Sequence, residues 1–282
     1  MTASARATFA NVPLELLTLP AFPSISAKAL RLLSNRDTRL LELHSALSAD
    51  PSFSSEILRI ANSPLYPVAS QVKSLTQASM LLGFERLKGI VVALGVRSYL
   101  TDLLHVPVLR ACWRHSLACA LIAEEATAHQ AGSDDAYTAG ILHDIGRIAL
   151  AAIVPGPYAS LLENVEDSAT LLEQERDSFG VDHCEAGRRL VAAWRLPKEL
   201  EIVTSQHHRD PTERSDVDVL SIVHYSCRIA DTLGFHASGR ANVSSYEELL
   251  QEIPLSARRK FTFDPSALEQ TVTAHMDALE SA

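Results

Sequence analysis

Residues 136–152 read AYTAGILHDIGRIALAA, and the fold turns on them. Ile141, Ile145, Ile148 and Ala152 recur at helical spacing, with Leu142 and Ala149 widening the apolar stripe. The pattern predicts one helix through the stretch. Inside it stand two polar side chains, His143 and Asp144. Burying a lone carboxylate costs several kcal/mol unless a cation or strong hydrogen bonds compensate it. Adjacent helical residues point about 100° apart, so the pair cannot face water while its neighbours face a core. Two readings stand: a buried histidine beside a hydrogen-bonded aspartate, or a pair of metal ligands.

Further histidines flank this stretch. Upstream, Trp113-Arg114-His115-Ser116 opens a long helix in which Cys119 and Ile122 follow His115 at helical spacing, setting it on or beside an inward face. Downstream, after the break at Pro155-Gly156-Pro157 and an acidic stretch, comes FGVDHCEAGRRLVAAWRLP. Asp182 and Glu185 fit an N-cap box there, which puts His183 in the first helical turn. Pro197 starts a helix closing on His207 and His208, and DVDVLSIVHYSCRIADTLG carries His224 and Asp231. Of the 11 histidines, His115, His143, His183, His207 and His208 fall on helices in this half, together with Asp144 and Asp231. Imidazole and carboxylate are ligands for iron, manganese, nickel and zinc. Two such ions about 3.5–4 Å apart are the usual arrangement for hydrolysing phosphate esters. Core histidines satisfied by hydrogen bonds are the structural alternative.

The first hundred residues read as about five short amphipathic helices with tight polar turns. Met1–Asn11 reads as a frayed leader with no secretory signal, and SISAKALRLLSN (24–35) as the first helix. Asp50-Pro51 marks a helix start, Ser74 with Gln77 a capping box, and Gly83 a helix end. No strand alternation, glycine-rich phosphate loop or internal repeat is visible. The basic residues here are spread rather than clustered, and the net charge of −9 over 282 residues gives no general attraction for nucleic acid or membrane surfaces. No segment reaches the roughly 18 uncharged apolar residues that span a bilayer. Cys112, Cys119, Cys184 and Cys227 are scattered without a CxxC pair, which reads as buried free thiols in a reducing cytoplasm.

The stretches LPAFPSISAKALRLLSN, LSADPSFSSEILRIANSPLYPV and VKSLTQASMLLGFERLKGIVVALGV resemble an HDOD domain, the signalling relative of HD-type phosphohydrolases. WRHS, AYTAGILHDIGRIAL, FGVDHCEAGRRLVAAWRLP and the paired His207-His208 fit the same family. The resemblance implies an all-α multi-helix bundle: an HDOD domain over 14–234, made of an N-terminal helical part (14–104) and an HD-like metal-binding bundle (105–234), then a helical extension over 235–282. It implies two metal ions, one held by His115, His143, Asp144 and Asp231, the other by Asp144 as bridge with His183, His207 and His208. In a hydrolase, His143, Asp144 and Arg147 would carry the chemistry. The chain departs from the cyclic di-GMP phosphodiesterases of the HD-GYP branch at three places. Arg147 replaces their lysine, RDPTERSD follows His208 with no Gly-Tyr-Pro element, and Ala111 occupies the place of a third-metal glutamate.

The expectation is therefore a cytoplasmic metal-binding signal-transduction protein acting through a protein partner. The alternative is a metal-dependent phosphohydrolase or cyclic dinucleotide phosphodiesterase taking a phosphate-containing ligand. Five imidazoles suit iron, manganese or nickel better than magnesium, and without cysteine among these ligands zinc loses its thiolate advantage. Toward the C-terminus, Ser244 with Glu247 reads as a helix cap, ARRKFTF as a solvated turn, and Asp264-Pro265 as the start of a last amphipathic helix, which packs back on the body or forms a dimer contact.

Overall fold

The computed structural model of the chain describes residues 27–29, 32, 40–66, 68, 70–101, 104–128, 136–165, 168–211, 217–237 and 244–280. The leader and most of the expected helix over 24–35 lie outside the described residues. Regular structure among the described residues is helical throughout, the all-α bundle expected. The helices are α1 (Leu40–Ser48), α2 (Pro51–Ala61), α3 (Leu75–Leu100), α4 (Pro107–Thr127), α5 (Ala136–Leu142), α6 (Ile145–Ile153) and α7 (Pro155–Asn164). They continue as α8 (Ser168–Phe179), α9 (His183–Ala193), α10 (Lys198–Gln206), α11 (Val219–Thr232), α12 (Tyr246–Glu252), α13 (Leu255–Arg258) and α14 (Pro265–Glu280). They fall into two compact units, one built on Asp102–Thr262, the other on Ala21–Thr101 with Phe263–Ala282.

In the unit holding α1–α3 and α14, helix starts follow local chemistry. Asp50 accepts hydrogen bonds from the Ser52 and Phe53 amides at 3.0 and 3.1 Å, ahead of Pro51 at the first helical position. Ser74 accepts from the Gln77 amide at 3.2 Å. Gly83 leaves the helical conformation, with φ 76° and ψ 168°, a backbone open to glycine, and so separates two helical runs within α3 as the sequence implies. The last helix is tied to α3 by Arg97 Nη1, which donates to the Leu279 carbonyl at 2.6 Å.

In the other unit α4 packs against α5 and α11, and α9 against α6 and α10. Trp113, Leu117, Ile122 and Ile141 are fully buried between them. The expected single helix over 136–152 is two helices, α5 and α6, broken by a turn at His143-Asp144. The break puts both side chains inward without asking one helix to bury two faces. Glycines on either side allow it. A Cβ on Gly140 would lie 2.6 Å from Ala120 Cα of α4, and one on Gly146 would lie 1.8 Å from the His183 carbonyl oxygen of α9. The α12 cap is Ser245 with Glu248 rather than Ser244 with Glu247. Both pairs fit the pattern, and the register that buries Tyr246 and Leu249 prevails. ARRKFTF is only partly a solvated turn, because Ala257 and Phe261 are buried.

Candidate metal centre

Four histidines of the unit built on Asp102–Thr262 carry a proton on the same ring nitrogen. His143 Nδ1–H donates to the Gly140 carbonyl at 2.7 Å, and His115 Nδ1–H to the Phe235 carbonyl at 2.7 Å. His207 Nδ1–H donates to the Thr204 carbonyl at 3.1 Å, and His183 Nδ1–H to Glu175 Oε2 at 2.7 Å. Carbonyls and carboxylates only accept, so each Nδ1 carries a proton and each ring, when neutral, presents a lone pair at Nε2. Those second-side acceptors are the ones that orient metal-ligating imidazoles.

The Nε2 atoms converge on Asp144. Its Oδ1 lies 3.2 Å from His207 Nε2 and 3.5 Å from His183 Nε2, and its Oδ2 lies 3.6 Å from His143 Nε2. His183 and His208 bring their Nε2 atoms to 2.9 Å. Asp144 is the N-cap residue of α6, yet its side chain makes no capping bond. Both its oxygens, His143 Nε2 and His207 Nε2 are buried without a hydrogen-bond partner. Buried polar atoms are almost always paired. Four acceptor atoms facing one another, with no aligned donor among them, fit a cation. Arg147 supplies part of the counter-charge: its Nε is 2.7 Å from Asp144 Oδ2, off hydrogen-bond alignment, and its side chain is buried.

The ligand-competent atoms form three overlapping groups, each with its atoms within 4.8 Å of one another: His183, Cys184, His207 and His208; His115, His143 and Cys227; and His143, Asp144 and His207. Six of the seven residues anticipated as ligands are in them. Asp231 is placed differently, with Oδ1 3.4 Å from Nδ1 of His115 and 3.8 Å from Nδ1 of His236. His224 donates from Nδ1 to the His207 carbonyl at 2.8 Å, bracing the turn that carries the histidine pair.

Glu175 escaped the sequence reading. It is fully buried on α8, where Oε1 accepts from the Tyr158 hydroxyl at 2.7 Å and Oε2 from the His183 amide at 2.8 Å as well as from its ring. Its signal was the spacing Leu171, Glu175, Phe179, one inward stripe of α8. Cys227 and Cys184 also escaped. Both are free thiols, Cys184 buried and Cys227 half-buried.

The electrostatics divide the cluster: His143 and His208 are held neutral and Asp144 ionised, while against burial Cys227 and Asp231 raise His115 and Glu175 raises His183. Burial, with the neighbouring His207 and His115 adding to it, pushes His143 down to about 3 against the pull of Asp144, so the ring is neutral at ordinary pH. Burial works against the ionised form of Asp144, but Arg147 and the surrounding histidines more than offset it and hold its carboxyl well below the usual range. Burial also opposes a charge on His183, and Glu175 outweighs it, lifting that ring to about 10. His183 Nε2 then carries a proton toward His208, which burial and its two histidine neighbours keep neutral, and an ion binding His183 has to displace that proton.

Several solved structures share this architecture. An HDOD domain protein of unknown function from Geobacter sulfurreducens is 24% identical with a TM-score of 0.71, covering 92% of each chain. A candidate phosphohydrolase from Shewanella amazonensis SB2B is 22% identical with a TM-score of 0.68, covering 93% of this chain and 94% of the other. At these identities the likeness is one of fold. An uncharacterised protein of Treponema pallidum (strain Nichols) is 24% identical over 197 residues, which are 68% of this chain and 38% of that curated relative's length. No described helix is long and apolar enough to cross a membrane. The HDOD domain itself matches residues 19–210. With that match over most of its length, the chain belongs to the HDOD family, the relatives of HD-type phosphohydrolases, and carries HD-type clusters of metal-competent side chains.

Proposed function

We propose that this HDOD protein is a metal-binding regulator that works through a protein partner, its centre taking two divalent transition-metal ions. His183, His207 and His208 with Asp144 Oδ1 would hold one ion, and His115 and His143 with Asp144 Oδ2 the other. The observation that carries the metal reading is the set of four buried acceptor atoms on His143, Asp144 and His207 that make no hydrogen bond.

The regulatory reading rests on Arg147 and on the other unit. A guanidinium that grips substrate phosphate has to be reached from solvent, and that of Arg147 is buried, its Nε 2.7 Å from Asp144 Oδ2. The unit formed by Ala21–Thr101 and Phe263–Ala282 has a cavity of about 1020 Å³, walled by Leu58, Leu65, Val72 and Ala278 beside Arg59 and Lys73. Asp277 also lines it and Arg59 is paired with Glu56 at 3.2 Å, so the lining suits a partner segment chiefly through apolar side chains. A second reading, a metal-dependent phosphohydrolase or cyclic dinucleotide phosphodiesterase, is favoured by the half-exposed edge at His208, Cys227 and Asp231, where a phosphate-containing ligand could approach. A bound ion would supply an activated water and neutralise the leaving oxygen. Assays of the metal-loaded protein against cyclic dinucleotides, nucleotides and a generic phosphodiester separate the two. The regulatory reading expects no turnover above the D144A background, and turnover that D144A abolishes overturns it.

A further inference from the structure

His115 and His143 face a thiol. Sγ of Cys227, on α11, lies 3.2 Å from His115 Nε2, and the ligand atoms of His115, His143 and Cys227 all lie within 4.8 Å of one another. The Nδ1–H of His115 is committed to the Phe235 carbonyl, so the thiol hydrogen donates to Nε2, on the line along which a coordinating ring would meet its ion. Sulfur and nitrogen bound to one tetrahedral zinc at about 2.3 and 2.0 Å stand about 3.5 Å apart, close to the separation found. The carboxylate of Asp231 lies beside the other ring nitrogen, 3.4 Å from Nδ1.

We infer that Cys227 is a metal ligand, completing with His115 and His143 a site for a thiophilic ion such as zinc or cobalt(II), while Asp231 is a positioning residue that holds the His115 ring. The inference rests on the metal reading above and sharpens it. A thiolate in the set restores the preference for zinc that an all-imidazole and carboxylate set lacks. Binding exchanges the thiol proton for the ion, and the proton leaves to solvent. The other half of the centre, around His183, His207 and His208, keeps its nitrogen and oxygen character if Cys184 stays a thiol, so the two ions differ in kind.

The test is cobalt(II) titration of the full chain after chelator treatment, read by absorption. Wild-type protein should show visible ligand-field bands and a near-ultraviolet thiolate-to-cobalt charge-transfer band. C227S should lose the charge-transfer band and keep ligand-field bands from the remaining site. C184S should retain it, and D231N should retain it with affinity weaker by about tenfold, as for lost orienting partners. Ligand-field bands in wild-type protein without a charge-transfer band overturn the role of Cys227 and leave the metal reading standing. So does a band that survives C227S and vanishes in C184S. No cobalt absorption of either kind overturns both. If C227S does not fold, alkylation of native wild-type protein decides: cobalt should protect Cys227 from iodoacetamide, and equal labelling with and without cobalt overturns the inference.

Discussion

Asp144 is a buried carboxylate at a helix start that caps nothing, and its position gives the centre its meaning. An Asp at an N-cap ordinarily accepts from its own helix; this one is left to the histidines. Glu175 is the second decisive carboxylate, because it alone fixes the proton of His183 on Nδ1 by a side-chain acceptor. Replacing it with Gln removes the charge and one acceptor while keeping the shape. E175Q is predicted to weaken metal binding by about 10–100-fold, measured by calorimetric titration, with unchanged affinity contradicting the orienting role. His115 and His143 were legible in the sequence because each sits on an apolar helical face, His183 because the Asp182 cap puts it in a first turn, and His207 and His208 as a pair closing a helix. Glu175 was hidden in a run read only as an acidic stretch, although Leu171 and Phe179 share its stripe. Which ring nitrogen of His115 meets Asp231 was not legible at all, since it depends on the Phe235 carbonyl arriving from 120 residues away in the chain.

Helix ends were readable where one side chain sets them and misread where packing chooses between registers. Asp50 and Asp182 cap as their sequences imply, Asp182 accepting from the Glu185 amide at 2.8 Å. The turn at His143-Asp144 was read as helix because apolar periodicity runs straight across it. Close helix approach at Gly140 and Gly146 makes the break, and that approach is invisible in periodicity. With a Cβ at residue 146 falling on α9 backbone, G146A is predicted to destabilise the fold by about 2–3 kcal/mol and to lower metal content. A urea midpoint equal to that of the wild type contradicts it. On the same α9, hydrogen bonds from Arg188, aided by Arg189 and opposed by burial, hold the Glu185 carboxyl down at about 2. Since the folded carboxyl is the stronger acid, its stabilisation is full above the unfolded pKa of 4.5 and is lost as pH falls through about 2. Screening of these half-exposed groups limits it to about 0.5 kcal/mol. Urea midpoints of wild type and E185Q should therefore differ by about that much at neutral pH and converge near pH 2; a gap that persists in acid contradicts the assignment.

At the scale of the molecule, the fold class was legible and the grouping of its ends was not. The sequence reading made everything after 234 an extension, whereas α14 groups with residues 21–101. Amphipathicity tells that a helix buries a face and never against which partner. We propose, from the absence of a Pro/Gly/Ser-rich stretch between Leu82 and Trp113, that the chain unfolds as one cooperative body. One calorimetric transition is the expected outcome, and two separate transitions, each at the stability of the isolated half, contradict it.

The central claim is that the buried carboxylate and imidazoles exist to hold metal, and elemental analysis of protein purified without chelator tests it most directly. Coordination needs unprotonated imidazole, so wild-type protein at pH near 8 should carry about two transition-metal ions per chain, falling as the buffer is acidified through about pH 6, and D144A should carry neither. Less than about 0.2 ion per chain in wild-type protein, at a pH where every ligand can bind, would contradict the account and leave a cluster of core histidines.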